Sequence, residues 1–253
     1  MSDTKYAYAV ARIRALENGL FSSAQIEQLL SVKSYEGALR FLTEHGWGDA
    51  DTPLSAEAIL TWEKAKSWET VRDLLKGDDA ILAVLSYGDL YHNLKAAIKD
   101  AAAPGSHGNV YFDDCEVDGA RMAKIVAEKD WQALPAHMRE AAKEASETFL
   151  HTGDGQLCDI IVDRAALAAI YECGKNASDA IIRDYAETTV AVADIKIAVR
   201  SQKTGKHLDF MRRAMAPCDS LNIERLSQAA LGGVGAICEY LEGTRYAGGA
   251  QAL

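Results

Sequence analysis

Tyr87-Gly88-Asp89-Leu90-Tyr91-His92-Asn93-Leu94-Lys95-Ala96-Ala97-Ile98-Lys99 is the stretch on which the reading of the fold turns. Ile81, Leu82, Leu85, Leu90, Leu94 and Ile98 recur at helical spacing around it and predict a helix over 80–102 with a broad apolar face. Its second half returns later in the chain. Asn93-Leu94-Lys95-Ala96-Ala97-Ile98-Lys99 and Asp194-Ile195-Lys196-Ile197-Ala198-Val199-Arg200 share one pattern: short polar, aliphatic, Lys, any, Ala, aliphatic, cation. The offset is 101 residues, and a glycine follows each copy, Gly105 after Pro104 and Gly205. The pattern reads as a duplicated unit; the alternative is two unrelated amphipathic helices. The expected division is a first helical repeat over 1–105, a second over 106–205, and the start of an incomplete third over 206–253.

Outward from these two helices the periodicity stays helical. Tyr6, Val10, Ile13, Leu16 and Leu20 predict an amphipathic helix over 3–18, ending near Gly19. Ser22 with Gln25 is a capping box, Ser34 opens a helix stopped by Gly46, and Ser55 caps another with Leu54 stapling against Ile59. That helix runs to Gly77, and Asp78-Asp79 cap 80–102. Asp118 caps 119–129, and Pro135 fits the first turn of a helix over 135–150. The next helix is stopped by Gly174, and Ser178 caps a long one over 179–203 despite Thr188, Thr189, Val190 and Val192, which favour strand locally. Beyond it come Leu208, Met211 and Met215, a break at Pro217, and a run through Ile223 to Leu241 interrupted by Gly232-Gly233-Val234-Gly235. The small residues of the last ten are expected to fray. No stretch alternates as a strand does, so the fold class is all-α.

Composition narrows the function classes. The net charge of −10 argues against a nucleic-acid binder, which needs cations to displace phosphate counterions. The N-terminus has cations within its apolar stripe and no signal-peptide pattern. The longest uncharged run, between Arg225 and Glu239, is shorter than a membrane-spanning helix. Five widely spaced cysteines, Cys115, Cys158, Cys173, Cys218 and Cys238, contain no CxxC pair and read as small hydrophobes in a reducing compartment.

Catalytic patterns are approached and then broken. Asp114-Cys115-Glu116-Val117-Asp118-Gly119 opens like a calcium loop, but position twelve, where a bidentate Glu is required, is Ile125. Thr204-Gly205-Lys206-His207 lacks the first glycine and the Ser/Thr of a phosphate loop. Gly232-Gly233-Val234-Gly235 follows a helix rather than a strand and reads as close packing or a hinge. The six histidines make no zinc motif, and His92 reads as a surface or half-buried residue rather than a base. The expectation is therefore no catalytic, cofactor-binding or metal-ligating residue and no cofactor. A scaffold outranks an enzyme with a site assembled from distant residues.

Tyr6-Ala7-Tyr8-Ala9-Val10-Ala11-Arg12-Ile13-Arg14-Ala15-Leu16-Glu17 with the following Leu29-Leu30 resembles the C subunit of the prokaryotic V-type (A-type) ATPase/ATP synthase, whose eukaryotic counterpart is the d subunit. The stretch from Tyr87 to Lys95 resembles that family's Tyr-Asp-x-x-Asn-Leu-Lys helix, with Gly88 before the acid, and 194–200 resembles its second-repeat motif, with Asp194 where the family tends to carry Asn. The resemblance implies an all-helical funnel of three pseudo-repeats. It also implies a non-catalytic coupling role, seating the central stalk on the proteolipid rotor ring, peripheral to the membrane on its cytoplasmic side. The family usually runs further and completes a third repeat, so the chain reads as truncated or naturally short. Which residues bind partners is not given by the resemblance. The polar loops 46–52, 106–118 and 151–155 are the candidate contacts, and an unrelated helical adaptor is the alternative.

Overall fold

The computed structural model describes residues 6–75, 79–102, 110–112 and 114–251. Among them there are helices and no strand. The chain divides into two compact units, Met1–Asp79 and Ala80–Leu253. This division follows packing, whereas the ranges 1–105, 106–205 and 206–253 follow recurrence in the sequence.

The first unit holds α1 (Ala7–Glu17), α2 (Ser23–Ser31), α3 (Tyr35–Glu44) and α4 (Ala56–Leu74). Its helix starts are local chemistry. The Ser22 capping box is formed, the Ser34 hydroxyl accepts from Gly37 N–H, and the Ser55 hydroxyl accepts from Ala58 N–H. At the end of α3, Gly46 takes φ +82°, and the bonds Gly46 N–H to Thr43 O and Trp47 N–H to Leu42 O close a Schellman turn. Phe21, Phe41, His45 and Trp47 pack ring to ring around that turn. The core is small: Leu39 and Ile59 are its buried hydrophobics among the described residues. One sequence expectation is corrected here. Leu54 is 64 % exposed, so it does not staple onto buried Ile59. The stripe of α1 is open, with Val10 56 % exposed and Leu20, just beyond the helix, 72 % exposed. The expected cap at Asp78 and stop at Gly77 lie outside the described residues.

The second unit is built on three long helices, α5 (Asp79–Ala102), α8 (Gly155–Lys175) and α9 (Ala180–Lys203). Between α5 and α8 lie α6 (Gly119–Glu128), two 3-10 turns at Trp131–Ala133 and Ala136–Met138, and α7 (Arg139–Thr152). After α9 come α10 (Leu208–Ala214), α11 (Ile223–Leu231), α12 (Val234–Glu242) and the short α13 (Ala247–Ala250). One core joins Leu90, Leu94 and Ile98 of α5 to Met122 and Val126 of α6, Met138, Ala142 of α7, and Cys158 and Val162 of α8. A second joins Ala191 and Ala198 of α9 to Met211, Met215, Leu226, Ile237 and Leu241. Each fully buried Leu or Met contributes about 1.5–3 kcal/mol by leaving water.

Several boundaries differ from the sequence reading, each for a local reason. Pro135 precedes a 3-10 turn and α7 begins at Arg139, because the chain must first bury Leu134 and Met138. Asp179, not Ser178, occupies the residue before α9, with no side-chain cap bond. The β-branched run 188–190 is helical, its Val190 fully buried. Gly174 does not stop α8. It lies inside the helix, where a Cβ would overlap that of buried Ala186 on α9. Gly205 ends α9 as expected, at φ +64°, with Gly205 N–H to Gln202 O and Lys206 N–H to Ser201 O completing another Schellman turn. Gly233, at φ +103°, provides the corner between α11 and α12. The residues expected to fray are partly ordered: α13 forms, Tyr246 and Ala250 pack on the second core, and Cys238 Sγ donates to Ala250 O.

Candidate functional site

Asn93 and Asp194 are the two polar side chains that the recurrent motif buries in the middle of long helices, and both are 0 % exposed. Helices α5 and α9 have the same length, 24 residues, and their bounds differ by the same 101 residues as the motif. Ala97 and Ala198, then Ile98 and Val199, are buried in step.

Each polar residue grips a backbone segment further along the chain. Asn93 Nδ2 donates to Phe112 O at 2.8 Å, and its Oδ1 accepts from Phe112 N–H at 2.8 Å. Asp194 Oδ1 accepts from Ala216 N–H at 3.1 Å. In both copies the residue six positions beyond the gripped one caps the next helix. Asp118 accepts from Arg121 N–H, and Asn222 accepts from Arg225 N–H, each at 2.9 Å. Four residues further, Met122 and Leu226 are both fully buried. The shared device is a long helix whose buried polar group anchors a strap that leads into a capped short helix.

The copies differ in chemistry. An amide has both a donor and an acceptor and satisfies both groups of Phe112. A carboxylate can only accept, and Asp194 Oδ2 is buried without a partner among the described residues. Burial lifts the Asp194 pKa to about 7, against the opposing pull of the Ala216 N–H bond and the Arg164 charge. The cations of the motif also diverge. Lys95 and Lys99 pair with Asp163 and Asp159 on α8, each at 2.6 Å, whereas Lys196 lies on an open groove.

Two further polar nodes brace the unit. Tyr91, 1 % exposed, donates its hydroxyl to His137 O at 2.9 Å, with His137 Nδ1 also 2.9 Å away. Burial pulls the His137 pKa down, so the ring is neutral and its Nδ1–H can donate to the tyrosine oxygen. Removing the hydroxyl in Tyr91→Phe should cost about 1–2 kcal/mol, read as a lowered urea midpoint. Because His137 protonates more readily once unfolded, its contribution is present above pH ~6.5 and is lost as pH falls below that. At the other node, burial works to raise the Glu187 pKa, but bonds from the Ser220 hydroxyl and backbone and from Asp219 N–H outweigh it and lower it. Those bonds tie α9 to the segment that leads into α11, and the Arg245–Asp184 ion pair lies beside them.

Open apolar faces are the other notable feature. On α9, Ile181, Tyr185, Thr188, Thr189, Val192 and Lys196 line an open groove of ≈ 650 Å³ with Leu167 of α8. Ile181 is 76 % exposed. In the first unit Tyr8, Val10, Ile13, Leu16 and Leu20 are exposed, as are Ile26 and Leu30 of α2. The sequence reading identified the α1 stripe as the apolar side of an amphipathic helix, and it did not pick out the α9 face at all. That face was legible only as residues at i, i+4, i+8 and i+11 that are not needed for the core.

The candidate loops resolve into helix-end chemistry. In 46–52, Gly48 N–H donates to Glu63 and Asp49 accepts from Thr52 and from Asp51 N–H. In 151–155, Gly153 at φ +65° ends α7 and Asp154 caps α8. The loop 106–118 is described only at 110–112 and 114–118, where His92 Nε2 approaches Val110 O at 2.9 Å. Residues 204–207 are the turn that ends α9. Among the described residues no group of His, Cys, Asp and Glu is arranged to hold a metal, and no helix is long and apolar enough to cross a membrane.

Comparison with curated proteins finds no match. A protein-family model described as the ATP synthase (C/AC39) subunit matches residues 9–252, a span that takes in both compact units, both strap helices and the exposed α1 stripe. The chain therefore belongs to the C/AC39 subunit family of V/A-type ATP synthases.

Proposed function

We propose that the chain is a non-catalytic coupling subunit of a rotary V/A-type ATPase/ATP synthase. It joins the central stalk to the proteolipid rotor ring and passes torque between ATP turnover and proton or sodium movement. Family membership over 9–252 carries this reading. In the complex the chain sits on the cytoplasmic face of the membrane, peripherally, held by its partner subunits. The sequence recurrence, supported by the matched bounds of α5 and α9, is read as duplication of a unit of about a hundred residues, with repeats over 1–105 and 106–205 and a partial third over 206–253.

The physics suits such a role. Helices of 24 residues are about 36 Å long, and the strap bonds and ion pairs fasten them to their neighbours. Exposed apolar side chains concentrated on α1, α2 and α9 are the kind of surface that partner proteins bury. The net charge of −10 adds an attraction for basic partner surfaces that salt weakens.

The test is co-elution of the chain with the purified two-subunit central stalk, and separately with detergent-solubilised proteolipid ring, at low and high salt. Joint elution at low salt, weakened at high salt, is the expected result. Ile181→Asp should reduce it with no loss of thermal stability, since that side chain faces solvent. Elution apart from both stalk and ring under every condition would overturn the reading.

A further inference from the structure

We propose that Asp194 is a pH-sensitive latch: with its carboxyl protonated it holds the 215–221 strap, and once ionised it loosens that strap and the α10–α12 group from α9. The inference stands on the geometry of the second unit and does not depend on the coupling role.

Asn93 provides the reference. At the corresponding place in α5 an amide satisfies both the N–H and the C=O of the gripped residue. In α9 one oxygen of Asp194 takes the Ala216 N–H, and the other is buried with no partner among the described residues. A neutral carboxyl, like the amide, brings no charge into the site while its other oxygen still accepts from Ala216 N–H. An ionised one leaves a charge in a site that is 0 % exposed, with a single N–H to receive it.

The surrounding charges do not relieve it. On α8 the group acting on it is Arg164, which is exposed and favours the anion only from a distance. On the strap the titratable group is Cys218, a thiol whose own pKa burial pushes up to about 11. Glu187, on α9 itself, is engaged by Ser220 and Asp219. On α10, Arg212 is paired with Glu224 of α11 and with Asp209, and Arg213 reaches towards Glu144. The buried polar group of α11, Ser227, donates to Met215 Sδ and carries no charge.

The direction follows from linkage. Asp194 titrates near pH 7 in the fold and near the ordinary carboxylate value, 3.8, when exposed. The folded state therefore keeps a proton that the open state releases. Closure weakens as pH rises between these values and levels off above the upper one.

Hydrogen exchange of the 211–231 amides, corrected for the intrinsic chemical rate, reads this directly. In the native chain the open population should rise roughly tenfold per pH unit between about pH 4 and about pH 7 and then plateau. Asp194→Asn should remove the slope and give greater protection than the native chain at pH 8. The reciprocal Asn93→Asp should create a slope at the Phe112 amide, which keeps the test decisive if the first variant misfolds. A native chain without the slope, a slope that persists in Asp194→Asn, or a Phe112 amide in Asn93→Asp that stays indifferent to pH would overturn the proposal.

Discussion

Gly174→Ala is expected to destabilise the second unit by about 3 kcal/mol, the upper part of the range for overpacking a close-packed contact. The added methyl would overlap the Cβ of Ala186, which is 0 % exposed. Neither helix has an easy way to yield. Val84 of α5 and Ile170 of α8 pack around Ala186, with Tyr87, Cys173 and Ile182 beside them. In a unit of this size 3 kcal/mol corresponds to a loss of roughly 6–12 °C in Tm. A steric cause makes a further prediction. Ala186→Gly alone should cost about 1 kcal/mol through helix propensity, yet combined with Gly174→Ala it should restore most of the lost stability, because the methyl has only moved across the interface. Thermal unfolding of the four chains in a double-mutant cycle measures this. Additive losses would mean the contact is not what limits position 174.

Asn93→Ala should cost about 1–3 kcal/mol by removing both hydrogen bonds that a fully buried side chain makes to the Phe112 backbone. Asn93→Leu separates hydrogen bonding from packing. It nearly restores the side-chain volume but neither bond, so it should be about as damaging as alanine. If leucine returns the urea midpoint close to that of the native chain, Asn93 is filling space, and the strap is held by something else.

The sequence was most informative where the chemistry is local. Ser22 with Gln25, Ser34, Ser55 and Asp118 act within three residues of themselves, and each caps the helix expected of it. Gly46 and Gly205 follow helical runs and take the left-handed conformation that such ends require. Gly174 looks the same in sequence but serves contact with a helix whose position the pattern does not reveal. The Ser178 and Pro135 readings failed by one to four residues, because adjacent candidates for the same role differ only in the tertiary contacts that follow. The anchoring of Asn93 and Asp194 was invisible: their partners lie 19 and 22 residues away and are backbone groups, which leave no mark in side-chain identity. The recurrence of the two residues was visible, and so was the substitution of acid for amide. The open face of α9 was missed because apolar residues at helical spacing read as core unless the neighbouring layers are known.

The interlock between α8 and α9 has a mechanical consequence. Helices that move within proteins often slide along each other, trading one set of side-chain contacts for the next. Here a displacement along the axis would carry the Ala186 methyl off Gly174 and towards Ile170, one turn back on the same face of α8 and already packed against it. The pair acts as a detent against shear. Force applied along α9 is therefore handed to α8 as displacement of the two together, with little slip between them.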